Sequence, residues 1–505
     1  MITKLLLTIT TLAGVTVGPP HDPALARTDA GVVRGTVNAD HRSFQGIPFA
    51  APPTGRLRWQ PPRPVAPWPG IRAATAPGSI CAQGVPGQKP LSVNEDCLYL
   101  NVTTPTTPGP HPVLVWLHGG AFTLGGGSYY DPARMVASGR VVVVTVNYRL
   151  GVFGYFGHPG LGRDSGSYGL LDQLAALHWV RRNASAFGGD PTAVTVAGES
   201  AGGLSACAML TTPAAAGLFQ RAIIQSGSCA MDWPANGTAP GVRPGSPFLS
   251  TERVQAQGAA LAAARGCPTV DCLREPSAAD LLAEPLAAGF THLAYGGPVL
   301  TERPVEALRK GHVLPVPVLI GHTRDEGRLF GSFFARPGTE QTITEAHYRE
   351  LAATAFGTQA GRVLARYPVA AHGSPIAAWS DAMTDRVWAC PTLETARLLR
   401  AVTPTHSFEF ADRTAPSLLP PPKDLPLGAY HGAELPYLFD SPGVLPALTA
   451  PAQHALSAEM LRHWTAFARG ERLPWPQVPA VRQLGRPATN PAVEHQCGFW
   501  AGVAG

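Results

Sequence analysis

One stretch of the chain, residues 187–203, limits the possible folds strongly because it joins a strand signal to a helix signal through one tight turn. Residues 193–197 form a short apolar run typical of a buried strand, and the residues from Ala201 onward predict a helix. The turn between them reads Gly-Glu-Ser-Ala-Gly, which places Gly198 and Gly202 two positions to either side of Ser200. A strained strand-to-helix turn needs such small residues, since Cβ atoms there would block a substrate carbonyl. An ordinary turn is the alternative for this common motif, but the flanking strand and helix favour a nucleophilic Ser200.

Strands and helices alternate on both sides of this turn. Residues 113–118 and 141–147 are continuous apolar runs that predict fully buried strands, and residues 169–183 predict a helix with an apolar face. Further strands are predicted at residues 222–225, 318–322 and 407–410, whereas residues 227–304 contain helical patches and no obvious strand. This pattern indicates an α/β fold with a mostly parallel sheet covered on both faces by helices.

Length and composition support a single large domain and exclude several classes of protein. Only 14% of the 505 residues are charged, while 55 glycines and 52 prolines indicate many turns and long ordered loops. This composition argues against a disordered or coiled-coil chain. The net charge of +5 is spread over scattered arginines without a long basic run, so we do not expect a nucleic-acid partner.

The N-terminus has the pattern of an export signal. Lys4 precedes a mostly apolar run over residues 5–17, and Ala24-Leu25-Ala26 forms an A-x-A cleavage motif before Arg27. The apolar run is too short to span a bilayer, and no later stretch is long enough. We therefore predict a signal peptide over residues 1–26 and a secreted domain over residues 27–505, with an uncleaved N-terminal anchor as the alternative. Scarce lysine in a background of Ala, Gly, Pro and Arg favours a bacterial source.

Export makes the eight cysteines candidates for disulfides, and 105 connectivities exist if all of them pair. Local pairing is the simplest hypothesis: Cys81 with Cys97, and Cys267 with Cys272. Cys390 and Cys497 would then join a late helix to the C-terminal tail. The remaining two, Cys207 and Cys229, either bridge each other or stay as buried thiols.

Two later stretches carry polar residues directly after predicted strands. Asp325 and Glu326 follow the strand at residues 318–322, and His431 comes after the strand at residues 407–410. Functional groups in open α/β sheets gather at the carboxyl ends of strands, so these residues could converge with Ser200. Either carboxylate alone could be an ordinary solvated group, and His431 alone an ordinary polar residue. Together they supply an acid and a base in the chain order serine, acid, histidine.

Residues 46–500 resemble the type-B carboxylesterases, which have the α/β-hydrolase fold and include bacterial para-nitrobenzyl esterases, fungal lipases and cholinesterases. Several long motifs in the same order make the resemblance specific. They are residues 95–102 (EDCLYLNV), 118–122 (HGGAF), 147–154 (NYRLGVFG), 187–202, 323–327 (TRDEG) and 431–436 (HGAELP). The resemblance implies a mostly parallel central sheet with helical insertions that form the rim of a pocket.

The resemblance also implies a role for each candidate residue. Ser200 would be the acyl nucleophile, His431 its general base and Glu326 the acid that orients the imidazole, with Asp325 as the competitor for that last role. The N–H groups of Gly120, Ala121 and Ala201 would form a three-donor oxyanion hole. Trp233 would line the acyl side of the pocket, and Glu199 would be a buried carboxylate that tunes the site.

Other positions in the resemblance imply scaffold rather than chemistry. Arg58 with Glu95, and Arg149 with Asp172, would be structural ion pairs. The pairs Cys81–Cys97, Cys267–Cys272 and Cys390–Cys497 match the family's disulfides, whereas Cys207 and Cys229 depart from the family pattern. The loop between Cys81 and Cys97 contains no aromatic residue, although in cholinesterases it carries the tryptophan that binds the choline cation.

The sequence as a whole predicts a secreted serine carboxylic-ester hydrolase that forms an acyl-enzyme with neutral esters. We expect no metal or cofactor, a small-molecule ester as the substrate, and no nucleic-acid partner or membrane span. A lipase for longer acyl chains is the nearest alternative. A non-catalytic, esterase-like binding protein is a second, although the intact set of Ser200, Glu326 and His431 argues against it. The sequence does not predict the physiological ester or the oligomeric state.

Overall fold

The structure is a computed structural model that describes residues 22–335 and 342–503. Most of the predicted signal peptide, residues 1–21, lies outside the described residues. The described residues form fifteen strands. They are β1 (Leu25–Arg27), β2 (Val32–Arg34), β3 (Thr36–Val37), β4 (His41–Pro48), β5 (Ile71–Ala73), β6 (Tyr99–Pro105), β7 (His111–Leu117), β8 (Val142–Val146), β9 (Gly189–Glu199), β10 (Arg221–Gln225), β11 (Phe248–Ser250), β12 (Leu293–Tyr295), β13 (Val318–Thr323), β14 (Thr405–Phe410) and β15 (Val481–Leu484).

The described residues form eighteen α-helices, which lie between the strands singly or in runs. They are α1 (Ala133–Gly139), α2 (Gly151–Tyr155), α3 (Tyr168–Asn183), α4 (Ala201–Leu210), α5 (Thr251–Ala264), α6 (Val270–Arg274), α7 (Ala278–Ala283), α8 (Pro304–Arg309), α9 (Gly327–Gly331), α10 (Glu345–Phe356), α11 (Ala360–Arg366), α12 (Val369–His372), α13 (Pro375–Met383), α14 (Cys390–Arg400), α15 (Leu435–Leu438), α16 (Pro451–Ala468), α17 (Pro491–Glu494) and α18 (Cys497–Trp500). One turn of π-helix, Thr384–Ala389, joins α13 to α14.

Ten of the described strands form the central sheet, in the order β15-β14-β13-β10-β9-β7-β8-β6-β4-β3. Strands β15 through β8 in that order pair in parallel, and β6, β4 and β3 continue the sheet with antiparallel pairs. This is the α/β-hydrolase architecture, so the predicted fold class is confirmed. The parallel strands carry the crossover helices, which cover both faces of the sheet.

Both faces of the central strands are apolar, which explains why these strands are continuous apolar runs in the sequence. In β7, Val113, Val115 and Leu117 pack in one cluster of buried side chains, while Leu114 and Trp116 pack in the other. The first cluster includes residues of α3, α4 and α14, and the second includes residues of α1 and α16. Side chains alternate along a strand, so a strand buried on both sides needs an apolar residue at every position.

Two regions contain strands that the sequence pattern did not predict. The N-terminal region, for which no strand was predicted, holds β1 to β5. Residues 227–304 hold β11 and β12, which pair in parallel as a separate two-stranded sheet. The short strands β11 and β12 lie more than forty positions apart in the chain. Their pairing therefore depends on tertiary contacts that no local pattern contains.

The N-terminal strand affects the predicted cleavage position. Leu25, Ala26 and Arg27 pair with Arg34, Val33 and Val32, and Ala26 is buried. Cleavage after Ala26 would remove two of the three residues of β1. The predicted cleavage position thus lies inside β1, and the start of the mature domain stays a prediction.

The cysteines and motif charges form the scaffold around the sheet. Four disulfides join Cys81 to Cys97, Cys207 to Cys229, Cys267 to Cys272 and Cys390 to Cys497, so the fourth bridge, which the sequence left open, is formed in this structure. The carboxylates of Glu95 and Asp172 bind Arg58 and Arg149 at 2.6 and 2.7 Å. Within the described residues, no helix is both long enough and apolar enough to cross a membrane.

Candidate active site

Ser200 occupies the turn between β9 and α4, at the carboxyl end of a central strand. Its backbone has φ 55° and ψ −121°, a conformation that L-residues rarely adopt. A Cβ at Gly198 would lie 2.4 Å from the Gly202 carbonyl carbon, and a Cβ at Gly202 would lie 1.9 Å from the Leu117 carbonyl oxygen. Glycine is therefore required on both sides of Ser200, because β9, α4 and the end of β7 approach closely there.

Glu326 and His431 meet at the carboxyl ends of neighbouring strands. Glu326 follows β13 at the start of α9, and its Oε2 lies 2.5 Å from His431 Nδ1. The other oxygen, Oε1, accepts a hydrogen bond from the Thr323 N–H at 2.9 Å. Glu326 is fully buried, and burial acts to raise its pKa, but the His431 charge and hydrogen bond outweigh burial and lower that pKa. An ionised Glu326 can thus fix which nitrogen of His431 carries a proton.

Asp325, the competitor for the acid position, points to a different partner. Its carboxylate accepts hydrogen bonds from Arg413 Nε at 2.8 Å and from the Ala429 N–H at 2.9 Å. The side chain is buried, so these contacts replace the water that it would otherwise bind. Asp325 thereby connects the end of β13 to the segment that leads to His431, and it does not contact the imidazole.

The other nitrogen of His431 faces a second carboxylate. His431 Nε2 lies 3.2 Å from Glu199 Oε1, and no hydrogen bond joins Nε2 to Ser200 Oγ among the described contacts. Burial acts to lower the pKa of His431, but the charges of Glu326 and Glu199 raise it to about 9. The imidazole is therefore stabilised as a cation between two carboxylates, with Ser200 immediately after Glu199 in the chain.

Two buried glutamates extend this charged cluster. Burial raises the pKa of Glu199 to about 8, although the His431 charge opposes that shift. Burial also raises the pKa of Glu434 to about 7, together with the charge of Glu326. Glu434 Oε1 accepts a hydrogen bond from Gln225 Nε2 at 2.9 Å. Glu434 lies in the HGAELP motif, but nothing in the sequence pattern separates it from the rest of that motif.

The loop after β7 passes beside Ser200 and has an unusual backbone. Gly120, Ala121 and Phe122 all have positive φ angles, of 108°, 54° and 60°. A Cβ at Gly119 would lie 2.5 Å from Glu199 Oε2 and 3.1 Å from Ser200 Cβ, so the loop lies against the serine turn. Within the described part of the chain, the N–H groups of Gly120, Ala121 and Ala201 donate no hydrogen bond. Three free donors in this region are the kind of group that binds an oxyanion.

Two aromatic rings that the sequence did not single out lie against His431. The Phe330 and Trp388 rings stack with centroids 4.6 Å apart, and their centroids lie 5.1 and 6.1 Å from that of His431. We call these two residues the aromatic wall. Trp388 belongs to the π-helical turn, and Thr384 at the start of that turn accepts a hydrogen bond from the Gly327 N–H at 2.9 Å. The wall is thus fixed to the helix that follows Glu326.

Trp233 has no contact with Ser200, Glu326 or His431 among the described residues. Its indole N–H donates to the Arg243 carbonyl at 3.2 Å, and its backbone pairs with Gly245. The preceding Asp232 binds Arg386 at 2.6 Å, which ties the Trp233 segment to the π-helical turn. The structure thus brings Trp233 towards the aromatic wall, but it shows no contact between Trp233 and Ser200 or His431.

The loop between Cys81 and Cys97 reaches the other side of the site. Gln83 is buried, and its amide exchanges two hydrogen bonds of 2.8 Å with the N–H and carbonyl of Gly125. Gly125 closes the loop that contains Gly120 and Ala121. A polar amide therefore supports the backbone here, in the disulfide loop that lacks an aromatic residue.

One cluster of the described residues, His322, Glu409 and His495, has the composition of a metal site. The contacts of His495 in this cluster favour a structural ion-pair network instead of a metal site. His495 Nδ1 lies 2.6 Å from Asp385 Oδ1 and Nε2 lies 2.7 Å from Glu409 Oε1, so both ring nitrogens are already used. Arg486 also binds Glu409 at 3.0 Å. Because these contacts balance the two carboxylates, we assign this cluster to the scaffold.

Comparison with known proteins gives a consistent result over nearly the whole chain. Residues 22–494 match the model of the carboxylesterase family. The chain is 35% identical over 491 residues to the para-nitrobenzyl esterase of Bacillus subtilis (strain 168), covering 90% of this chain and 92% of that protein. It is 34% identical to the fumonisin B1 esterase of Sphingopyxis macrogoltabida, covering 90% and 85%.

Solved structures show the same similarity in three dimensions. A para-nitrobenzyl esterase structure, 35% identical, superposes with a TM-score of 0.72 and covers 90% of this chain and 94% of that one. A thermophilic relative, 33% identical, gives a TM-score of 0.74 over the same fractions. The similarity thus extends over nearly the whole chain.

Proposed function

The chain belongs to the carboxylesterase family and is a carboxylic ester hydrolase, and from that premise we propose that it is an exported serine esterase that works through an acyl-enzyme on Ser200. The observation that carries this proposal is the 2.5 Å contact between Glu326 Oε2 and His431 Nδ1, beside the strained Ser200 turn. A serine hydroxyl is a weak nucleophile, and it needs a base whose tautomer is fixed by a third group. Glu326 is the group placed to do this.

In the proposed reaction, His431 Nε2 takes the proton of Ser200 as the hydroxyl attacks the ester carbonyl carbon. Nε2 must first be free of its own proton and must exchange its contact with Glu199 for one with the Ser200 hydroxyl. Such contacts often form only when substrate binds. His431 then gives the proton to the departing alcohol, which leaves the acyl group on Ser200. Water reverses these steps and releases the acid.

The N–H groups of Gly120, Ala121 and Ala201 are the proposed oxyanion hole. They have no other acceptor among the described residues, and the Gly119 backbone lies against Ser200. Donors fixed in this way stabilise the negative oxygen of the tetrahedral intermediate, and the loss of one costs about 3 kcal/mol of barrier. The positive φ angles of the loop direct these N–H groups away from ordinary hydrogen bonds.

We propose that the substrates are neutral esters. The aromatic wall offers apolar surface beside His431, and apolar area removed from water stabilises binding by about 25 cal/mol per Å². Trp233 stays the residue predicted to line the acyl side of the pocket. The names of two relatives, para-nitrobenzyl esterase and fumonisin B1 esterase, also refer to ester hydrolysis. Turnover of a graded series of esters, from acetate to laurate, would separate this proposal from a lipase for longer acyl chains.

Export is the second part of the proposal. Four disulfides are typical of proteins that fold in an oxidising compartment, and the described residues contain no free cysteine. We propose a single catalytic domain that begins upstream of β1, after a signal peptide shorter than the predicted residues 1–26. The family match from residue 22 agrees with this boundary.

The test is Ser200→Ala, with Ser138→Ala at an exposed position of α1 as the matched control. Removing the Ser200 hydroxyl should leave a folded protein and lower ester turnover by about 10⁴-fold or more, because the acyl-enzyme cannot form. A fluorophosphonate probe should label the wild type and Ser138→Ala at one site per chain, and should not label Ser200→Ala. More than a few per cent of residual turnover, or labelling of Ser200→Ala, would contradict the assignment.

A further inference from the structure

A large cavity lies apart from the Ser200 site, between α14 and the C-terminal segment of the chain. Its volume is about 1210 Å³, which is ample for a small organic molecule. The lining residues come from α8, the π-helical turn, α14, residues 478–481 and residues 489–501. Ser200, Glu326, His431 and the aromatic wall do not line it. We call it the accessory cavity.

The charges around the accessory cavity are unbalanced. Four arginines and two carboxylates line it. Arg386 is paired with Asp232 at 2.6 Å, and Arg309 is paired with Glu394 at 2.9 Å. The other two arginines, Arg303 and Arg397, have no carboxylate partner within the described residues.

Arg303 is the more buried of the two unpaired arginines. Its Nε is shielded from solvent and has no hydrogen-bond partner, and its only described hydrogen bond is a long one of 3.5 Å from Nη2 to Ser246 Oγ. Because Arg303 lines the cavity and the one described hydrogen bond of its guanidinium is weak, this cation lacks an anionic partner there. Arg397 lies on α14 and is exposed to solvent.

Much of the remaining wall is apolar. Two of these side chains, Val305 and Trp500, are almost fully buried, and the Cys390–Cys497 disulfide joins the two sides of the cavity. An apolar wall next to one unpaired cation matches a molecule with an anionic head and an apolar body. The main apolar lining residues are Val305, Pro391, Leu393, Val478, Val481 and Trp500.

We propose that the accessory cavity is a second binding site, which takes an amphipathic carboxylate with its head on Arg303. A singly charged head fits because Arg303 is the one unpaired arginine that is partly buried, whereas Arg397 is exposed to solvent and Arg386 is already neutralised by Asp232. A doubly charged phosphate would keep one charge without a partner in a partly buried position. A planar guanidinium also binds a carboxylate through two parallel hydrogen bonds.

The test uses dodecanoate as the probe and isothermal titration calorimetry of the full mature protein, below the concentration at which the probe self-associates. We expect one dodecanoate per chain to remain bound after Ser200 has been capped with a long-chain fluorophosphonate that fills the ester site. Acetate lacks the apolar body and dodecanol lacks the charge, so both should bind at least tenfold more weakly.

Arg303→Gln should weaken dodecanoate binding at least tenfold, in the capped and in the uncapped protein. Arg400→Gln is the matched control, since Arg400 is an exposed arginine of α14 that does not line the cavity; it should change Kd less than twofold. Ala492 is an exposed lining residue, and the large indole of Ala492→Trp should block the site sterically. This variant provides a test if Arg303→Gln does not fold. Any of three results would overturn the proposal. They are the loss of all dodecanoate binding on capping, equal binding of dodecanol, and wild-type affinity for dodecanoate in both Arg303→Gln and Ala492→Trp.

Discussion

His431 Nε2 lies 3.2 Å from Glu199 Oε1, on the side of the ring opposite the 2.5 Å contact with Glu326. The imidazole is therefore placed between two buried carboxylates, and both of them stabilise its protonated form. A general base must lose that proton before it can accept one from a serine. The negative charge of Glu199 beside Nε2 thus contributes to the pH at which the proposed mechanism can begin.

We predict that Glu199→Gln moves the acidic limb of the kcat/KM profile to lower pH. The negative charge of Glu199 contributes to a His431 pKa of about 9, and a neutral amide cannot stabilise the imidazolium in the same way. The proton should then leave at lower pH, with a fall in the apparent pKa of about 1 unit or more. The measurement is kcat/KM for a neutral butyrate ester across pH 5 to 10.

The control for this shift is Glu345→Gln, at an exposed position on α10. That substitution should leave the profile unchanged. An acidic limb in Glu199→Gln that stays in place or moves to higher pH would show that Glu199 does not act on the proton of His431.

Substitutions of Glu326 and of Asp325, the two neighbouring carboxylates after β13, should affect different properties: kcat for Glu326 and stability for Asp325. We predict that Glu326→Gln lowers kcat by about 10³-fold to 10⁴-fold with little loss of stability, because the amide no longer fixes the His431 tautomer. Asp325→Asn should lower kcat less than tenfold. It should reduce the unfolding midpoint instead, since it breaks the buried contacts of Asp325 with Arg413 and Ala429. Measuring kcat and the thermal midpoint for both variants gives the comparison, and a larger kcat loss in Asp325→Asn would reverse the assignment.

The disulfides offer a test of how the C-terminal segment is fixed. Removing Cys390–Cys497 by a double serine substitution should destabilise the protein more than removing Cys267–Cys272, because the bonds close loops of 107 and 5 residues. Chain entropy predicts costs of about 5 and about 2 kcal/mol. Unfolding midpoints of the two double variants would show the difference. Equal midpoints would mean that the unfolded chain remains restricted near residue 497 without the bond.

The N-terminus of the exported protein is also predictable. We expect the mature chain to begin at or before Asp22, because β1 needs Leu25 and Ala26 to pair with β2. Asp22 also forms an ion pair with Arg34 at 3.0 Å. Intact-mass measurement of secreted protein, with the unsecreted precursor as reference, would locate the cleavage. A chain that begins at Arg27 would support the A-x-A motif instead.

The central strands and the serine turn could be predicted from the sequence because the patterns that indicate them involve residues close together in the chain. A strand buried on both faces is an unbroken apolar run, as in β7 and β8, and the close approach of Gly202 to Leu117 requires the glycines around Ser200. The order of Ser200, Glu326 and His431 then suggested which strand ends meet.

The parts that could not be predicted depend on contacts between distant residues. Phe330 and Trp388 are ordinary aromatic residues in the sequence, and only the packing of the π-helical turn on α9 brings them to His431. Glu434 becomes significant only beside Gln225, which lies 209 positions away. The position of export cleavage stays a prediction, since the A-x-A motif and the pairing of β1 with β2 favour different positions.

The last prediction concerns selectivity for the alcohol. We expect butyrylcholine to be hydrolysed much less efficiently than a neutral butyrate ester with a leaving group of similar pKa. A cation–π contact with the choline head can contribute about 2 kcal/mol when it is desolvated, but the loop between Cys81 and Cys97 has no aromatic residue to make one. Gln83 in that loop is already bound to Gly125. The stacked rings of Phe330 and Trp388 cover one face of each other, which leaves less π surface for a cation.

The comparison is kcat/KM for the two esters, with Phe330→Leu measured in parallel. A preference for choline that disappears in Phe330→Leu would place the cation on the aromatic wall, and one that disappears in Glu199→Gln would place it on that carboxylate.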